Sequence, residues 1–168
     1  MIIWPDAEVW GIIGLVVAAM VLGGLVGLDR ELANRPAGLR THMLVAGSAA
    51  VFVALGEILI RSYDHGIRTD DIVRSDPLRL IEAVITGVSF LGAGTIVQRS
   101  RDRQGHGVEG LTTAASLLMS AAIGVAVAIG QFWLGIGVTV VSLITLRFLR
   151  WLEKWAGWRG NPQAHSTS

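Results

Sequence analysis

No cysteine occurs in the 168 residues, so a disulfide framework, a thiolate metal site and a cysteine nucleophile are all excluded. The four histidines, His42, His65, His106 and His165, stand too far apart for a metal pair of the HxxxH kind. Lysine is almost missing as well. The basic side is 13 arginines and Lys154, dispersed among 13 acids for a formal charge of +1, and no basic tract exists to hold nucleic acid. Charge of either sign is scarce, at 16% of residues against 52% hydrophobic, and the mean hydropathy is +0.56. That balance is far from a water-soluble domain and marks a membrane protein.

A helix rising about 1.5 Å per residue needs roughly 20 apolar residues to cross a hydrocarbon core about 30 Å thick. Five runs qualify: Val9 to Leu28, Thr41 to Ile60, Leu78 to Val97, Leu111 to Ile129 and Phe132 to Leu149. Gly130-Gln131 is so short a connection that the last two must form an antiparallel hairpin. The leader MIIWPDAE carries acids and no base, unlike a signal peptide, so the first run is expected to stay as a span. The reading is therefore an all-α, polytopic membrane protein with five transmembrane helices.

Orientation follows from the arginines, because excess positive charge stays in the cytoplasm. One side collects Arg30, Arg35, Arg40, Arg99, Arg101, Arg103, Arg147, Arg150, Lys154 and Arg159, whereas the other has only the four between Arg61 and Arg79. This predicts a periplasmic N-terminus and a cytoplasmic C-terminus. Residues 1–150 form the transmembrane domain, and residues 151–168 an amphipathic surface segment and a disordered tail. In that segment Phe148, Trp151, Trp155 and Trp158 share a helical face beside Arg147, Arg150 and Lys154.

The first cytoplasmic connection is unusual. Between two oily runs it holds Asp29, Arg30, Glu31, Arg35 and Arg40. Topogenic anchoring accounts for the arginines, but not for the acids beside Arg30. Pro36 and Gly38 predict a short shaped turn, with Thr41 near the start of the second span. Arg40 is expected to face Asp29 or Glu31 across it.

GLVGLDRE (Gly24 to Glu31), RPAGLRTH (Arg35 to His42), DPLR (Asp76 to Arg79), TGVSFLGAGTIV (Thr86 to Val97) and GLTTAASLLMSAAIG (Gly110 to Gly124) follow one another in order. This series resembles the MgtC/SapB family of bacterial inner-membrane proteins over roughly Gly23 to Gly130. The resemblance implies a five-helix domain in the cytoplasmic membrane, magnesium-limited growth and, in pathogens, virulence through survival inside macrophages. It further implies that some members restrain the F-type ATP synthase, whereas transport is not an established family activity. Longer members carry an ACT-like domain after the fifth span, and only 18 residues follow Arg150 here.

Two motif helices need a reading of their own. Gly92, Ala93 and Gly94 make a GxG, but a dinucleotide loop would need a preceding strand and a third glycine where Val97 stands. Within a span, Gly87, Gly92 and Gly94 suit close helix packing or a cavity wall, as do Gly23 and Gly27 in the first span. The fourth span brings Thr112, Thr113, Ser116 and Ser120 into its cytoplasmic half. These hydroxyls either bond back to their own helix or meet the Asp29-Arg30-Glu31 corner in a polar pocket.

A gapless internal match supports the pocket. Gly38-Leu39-x-Thr41, Ser48-Ala49-Ala50 and Val53-Ala54 reappear as Gly110-Leu111-x-Thr113, Ser120-Ala121-Ala122 and Val125-Ala126. The competing explanations are a parallel repeat of two hairpins and coincidence among small residues. A repeat would set Arg40-Thr41 and Thr112-Thr113 at equivalent positions. Toward the other membrane face, Glu57 and Glu82 are weak candidates for a divalent cation, against ordinary helix pairs of Glu57 with Arg61 and Glu82 with Arg79.

No nucleophile and base pair up, so no enzyme is expected, and no cofactor. A regulatory membrane protein, linked to magnesium limitation and acting on a membrane complex such as an F-type ATP synthase, ranks before a carrier or channel for magnesium or a small solute. The expected associations are the lipid bilayer, a homo-oligomer with a dimer favoured, and a membrane protein complex.

Overall fold

The computed structural model describes residues 7–64, 77–102 and 110–155, and these are helical with short connections. Five helices follow in order: α1 (Ala7–Leu32), α2 (Leu39–Asp64), α3 (Pro77–Asp102), α4 (Leu111–Ala128) and α5 (Phe132–Trp155). Among the described residues, α1 to α4 are long and apolar enough to cross a membrane, and the described apolar part of α5 covers Phe132–Phe148. Each helix is built on one apolar run of the sequence. At their ends several outrun it, because a helix satisfies its own backbone groups whether the surroundings are lipid or headgroup.

α1 stops by a defined device. Asn34 takes a left-handed φ of 52°, its amide donates to the Glu31 carbonyl at 2.9 Å, and the Arg35 amide donates to the Arg30 carbonyl at 3.0 Å. These two bonds form a Schellman cap, with Pro36 just beyond it to forbid continuation. The short shaped turn expected here is present, and its left-handed residue is Asn34. α2 then starts at Leu39, whose amide donates to Glu31 Oε2 at 2.8 Å, so the carboxylate closing α1 also caps α2. The α4–α5 hairpin uses the same device: Gly130 has φ 78°, its amide donates to the Val127 carbonyl, and the Gln131 amide to that of Ala126.

α1, α2 and α4 make the core, and small residues set their spacing. A Cβ placed on Gly27 would lie 2.8 Å from both His42 Cβ and Leu39 Cα, and one on Gly23 would lie 2.6 Å from Ala46 Cβ. The small-residue face of α1 is therefore filled by α2 of the same chain. One core cluster holds Ala19, Val26, Ala50, Val53, Ile123 and Val127. The other joins Val45, Ala49, Leu117 and Ala121 to Val84 and Val88 of α3.

Of the four candidate spans α1 to α4, α3 is the least embedded, with 17% of its apolar window buried against 56% for α4. It runs unbroken through Gly92-Ala93-Gly94. Of its glycines only Gly92 is packed, against Ala114, while Gly87 and Gly94 face open space. Of the two roles expected, packing or cavity wall, Gly87 takes the second, lining a groove between α2 and α3, while Gly94 packs against no neighbouring helix. α5 continues as one helix across position 150, with Phe148, Trp151 and Trp155 stacked along it at centroid spacings of 6.1 and 6.5 Å. The outer-loop residues from Arg68 to Asp76, the side chains of Arg99, Arg101 and Arg150, the segment around Arg103, and the tail from residue 156, Trp158 and Arg159 included, lie outside the described residues.

Candidate functional site

Where α1 ends, α2 begins and α4 begins, the apolar core gives way to polar side chains that remain out of solvent. Asp29, Arg30, His42, Thr113, Ser116 and Ser120 are all buried, with His42 and Ser120 fully so. They meet because Gly27 lets the α2 backbone close on α1, and because Thr113, Ser116 and Ser120 lie on the face that α4 turns inward.

His42 is the hinge of this cluster. Its Nδ1 lies 2.9 Å from the Gly38 carbonyl oxygen, its Nε2 lies 3.0 Å from Ser116 Oγ, and Ser116 Oγ lies 2.8 Å from the Thr113 carbonyl oxygen. A carbonyl only accepts, so the ring proton belongs on Nδ1. Nε2 of the neutral ring then accepts from the Ser116 hydroxyl, whose single proton is withheld from Thr113. In the imidazolium, Nε2–H donates to Ser116, and the hydroxyl proton passes to the Thr113 carbonyl. The relay thus has two proton arrangements joining α2 to α4. Ser120 Oγ, one turn further along α4, is buried and has no hydrogen-bond partner among the described residues.

Asp29 is tied across the fold. Its Oδ1 accepts a 3.0 Å hydrogen bond from Arg147 Nε at the far end of α5. The carboxylate is 4% exposed and the guanidinium 70%, so a buried acid is held by a base on the rim. Arg147 had read as a topogenic charge at a span edge.

Of the residues expected to form the polar cluster, Asp29, Arg30, Thr113 and Ser116 are brought together. Glu31 is exposed and caps α2, and Arg40, Thr41 and Thr112 are exposed on the helices' outer faces. Arg40 faces neither Asp29 nor Glu31, because α2 begins at Leu39 and the next residue points away from α1; among the described residues it has no hydrogen-bond or ion-pair partner. Thr113 is buried where Thr41 is not, so the residues matched by the internal repeat are not equivalently placed. Ser120, read with the other hydroxyls of the fourth span, is buried beside them, and His42 completes the cluster. Only the histidine's place one turn into an apolar span hinted at its role.

Arg40 and Thr41 instead stand at one end of a groove of about 830 Å³ between α2 and α3, walled by Leu44, Ser48, Phe52, Leu80, Gly87 and Leu91 among others. A second cavity, about 330 Å³, lies at the opposite end of the bundle beside Glu8, Glu57 and Arg61. There Arg61 bridges Glu57 and Glu8, as the helix-pair reading of Glu57 expects. Glu82 is exposed on α3 and lines neither cavity, and among the described residues it forms no ion pair with Arg79. The two candidate cation ligands thus do not line a common cavity. No three His, Asp or Glu side chains among the described residues stand close enough to share a metal ion.

Comparison with known proteins gives a consistent answer. Residues 16–155 match the MgtC family. Protein MgtC of Salmonella typhimurium is 40% identical over 133 residues, covering 79% of this chain and 50% of its own length. The Escherichia coli protein named "Putative magnesium transporter YhiD" is 38% identical over 138 residues, or 80% of this chain and 58% of its own length. Protein SrpB of Synechococcus elongatus is 34% identical over 157 residues, or 92% of this chain and 83% of its own. The chain thus spans little more than half of the first two. No solved structure matches it.

Proposed function

Since the chain belongs to the MgtC family, we propose that it is a regulatory, non-enzymatic protein of the bacterial cytoplasmic membrane, linked to magnesium limitation and acting by binding a membrane complex such as an F-type ATP synthase. One observation carries the preference for regulation over conduction. The larger of the two described cavities is walled mainly by apolar residues and has a cationic residue, Arg40, at one end. A hard divalent cation requires a shell of oxygen ligands and is repelled by a guanidinium. The buried polar cluster, for its part, spends its donors and acceptors on joining helices: Asp29 to Arg147, and His42 to Ser116.

The alternative is a carrier for magnesium. The name of the Escherichia coli relative and the two carboxylates at the smaller cavity favour it. Two measurements on one preparation separate the readings. Inverted membrane vesicles containing the protein should show weaker ATP-driven proton pumping than vesicles without it. Proteoliposomes of the protein alone should show no saturable magnesium flux. Saturable flux together with unchanged pumping would replace regulation by transport.

A further inference from the structure

The groove between α2 and α3 has the layout of a binding site for an amphiphile. It opens on the outside of the bundle, where Leu44, Phe52 and Leu91 are at least half exposed, on faces that a membrane would cover. Toward its far end the Leu80 side chain lies directly over Gly56, in the space a Cβ there would take. Its near end is polar, with Arg40 and the Thr41 hydroxyl, and among the described residues no carboxylate lines it. The nearest acid in sequence, Glu31, is already engaged by the Leu39 amide at 2.8 Å.

The geometry points to one anionic phospholipid as the occupant, its phosphate on Arg40 and an acyl chain laid between α2 and α3. Arg40 is available for this, having no hydrogen-bond or ion-pair partner among the described residues. Its position on the second residue of α2 sets it at a membrane edge. At about 1.5 Å per residue, the half-thickness of a roughly 30 Å hydrocarbon core is reached some ten residues later. That is the level of Ala50 to Phe52, and the groove continues past it to Gly56. One leaflet's acyl chain is therefore accommodated along its whole length. The volume of about 830 Å³ lies within the roughly 300 to 1,000 Å³ that ligand sites occupy. A basic group between helices at a membrane edge is the setting in which anionic headgroups are bound.

Native mass spectrometry of the detergent-purified full chain, titrated with dioleoyl phosphatidylglycerol or dioleoyl phosphatidylcholine, tests the assignment. The wild type should bind a first phosphatidylglycerol about fivefold more tightly than phosphatidylcholine. Arg40→Gln should equalise the two, and Arg40→Lys should keep the preference. Gly87→Leu should weaken the first binding step for both lipids by filling the groove. Both positions suit the test, since among the described residues Arg40 has no hydrogen bond or ion pair to lose and a Cβ on Gly87 meets nothing within 4 Å. Equal affinities in the wild type, or an undiminished preference in Arg40→Gln, would overturn the assignment. So would a Gly87→Leu variant that turns a dimer into a monomer while lipid binding is unchanged, since the occupant would then be a second copy of the chain.

Discussion

Adding one methyl group at Gly124 should do more damage than its size suggests. Gly124 faces the α2 backbone: a Cβ there would be 2.9 Å from the Ala46 carbonyl carbon, 3.1 Å from Ala49 Cβ and closer still to the Ala46 oxygen. Ordinary contact begins at 3.4 Å, so α2 and α4 must part by at least half an ångström. Four residues before Ala46 on α2 is His42, and eight before Gly124 on α4 is Ser116, whose bond at 3.0 Å joins the same two helices. If the helices move rigidly, that bond reaches about 3.5 Å, the limit of a useful hydrogen bond. Overpacking costs roughly 1 to 3 kcal/mol, and a buried hydrogen-bonding group left unsatisfied roughly another 1 to 3. Gly124→Ala should therefore lose about 2 to 6 kcal/mol in an equilibrium unfolding titration in mixed micelles. Gly94→Ala is the control, with open space around its Cβ, and should stay within about 0.5 kcal/mol of wild type. Equal stability of the two variants would refute the claim that the α2–α4 contact is at its closest approach and that the relay depends on it.

Three further outcomes follow from the same geometry. Ser116→Ala should cost about 1 to 3 kcal/mol by stranding His42 Nε2, whereas Ser120→Ala removes a hydroxyl that has no partner and should be neutral or stabilising; thermal melts in detergent would show the order. Arg147→Gln should destabilise by about 1 kcal/mol because its exposed guanidinium is only partly desolvated, and because Asp29 is 4% exposed the loss should persist in high salt, while Arg40→Gln leaves the same unfolding curve unmoved. Asn34→Gly should keep or raise stability and Asn34→Val should lower it by roughly 1 to 3 kcal/mol, because φ 52° suits glycine and excludes a β-branched residue; proteolysis of the α1–α2 connection reports both.

The helices were legible because membrane spans are written in length and apolarity, which survive in a single sequence. Leu111 to Ile129 became α4 with a shift of one residue, and the Gly130-Gln131 turn is where the composition put it. The chemistry of the site was legible only in half. Asp29 and Arg30 stood out as charges at the end of an oily run, and Ser116 as a hydroxyl on a small-residue face. Their partners are what local pattern cannot supply. His42 meets Ser116 across 74 positions and Asp29 meets Arg147 across 118, and nothing in the spacing of either pair announces the contact. Arg40 shows the reverse error. Proximity in sequence to two acids suggested a pair, but the start of α2 at Leu39 turns that side chain outward.

The Asp29–Arg147 bond also sets a clock on biogenesis. Ribosomes add about 5 to 20 residues per second, so the 118 positions between donor and acceptor correspond to roughly 6 to 24 s of synthesis. During that interval α1 and α2 are made and can bring their small faces together, while the clasp from α5 to α1 has yet to be made. The order of emergence puts the α1–α2 contact before the fastening of Asp29 by Arg147. A nascent chain arrested before α5 leaves the tether would be assembled at its centre and unlatched at its rim.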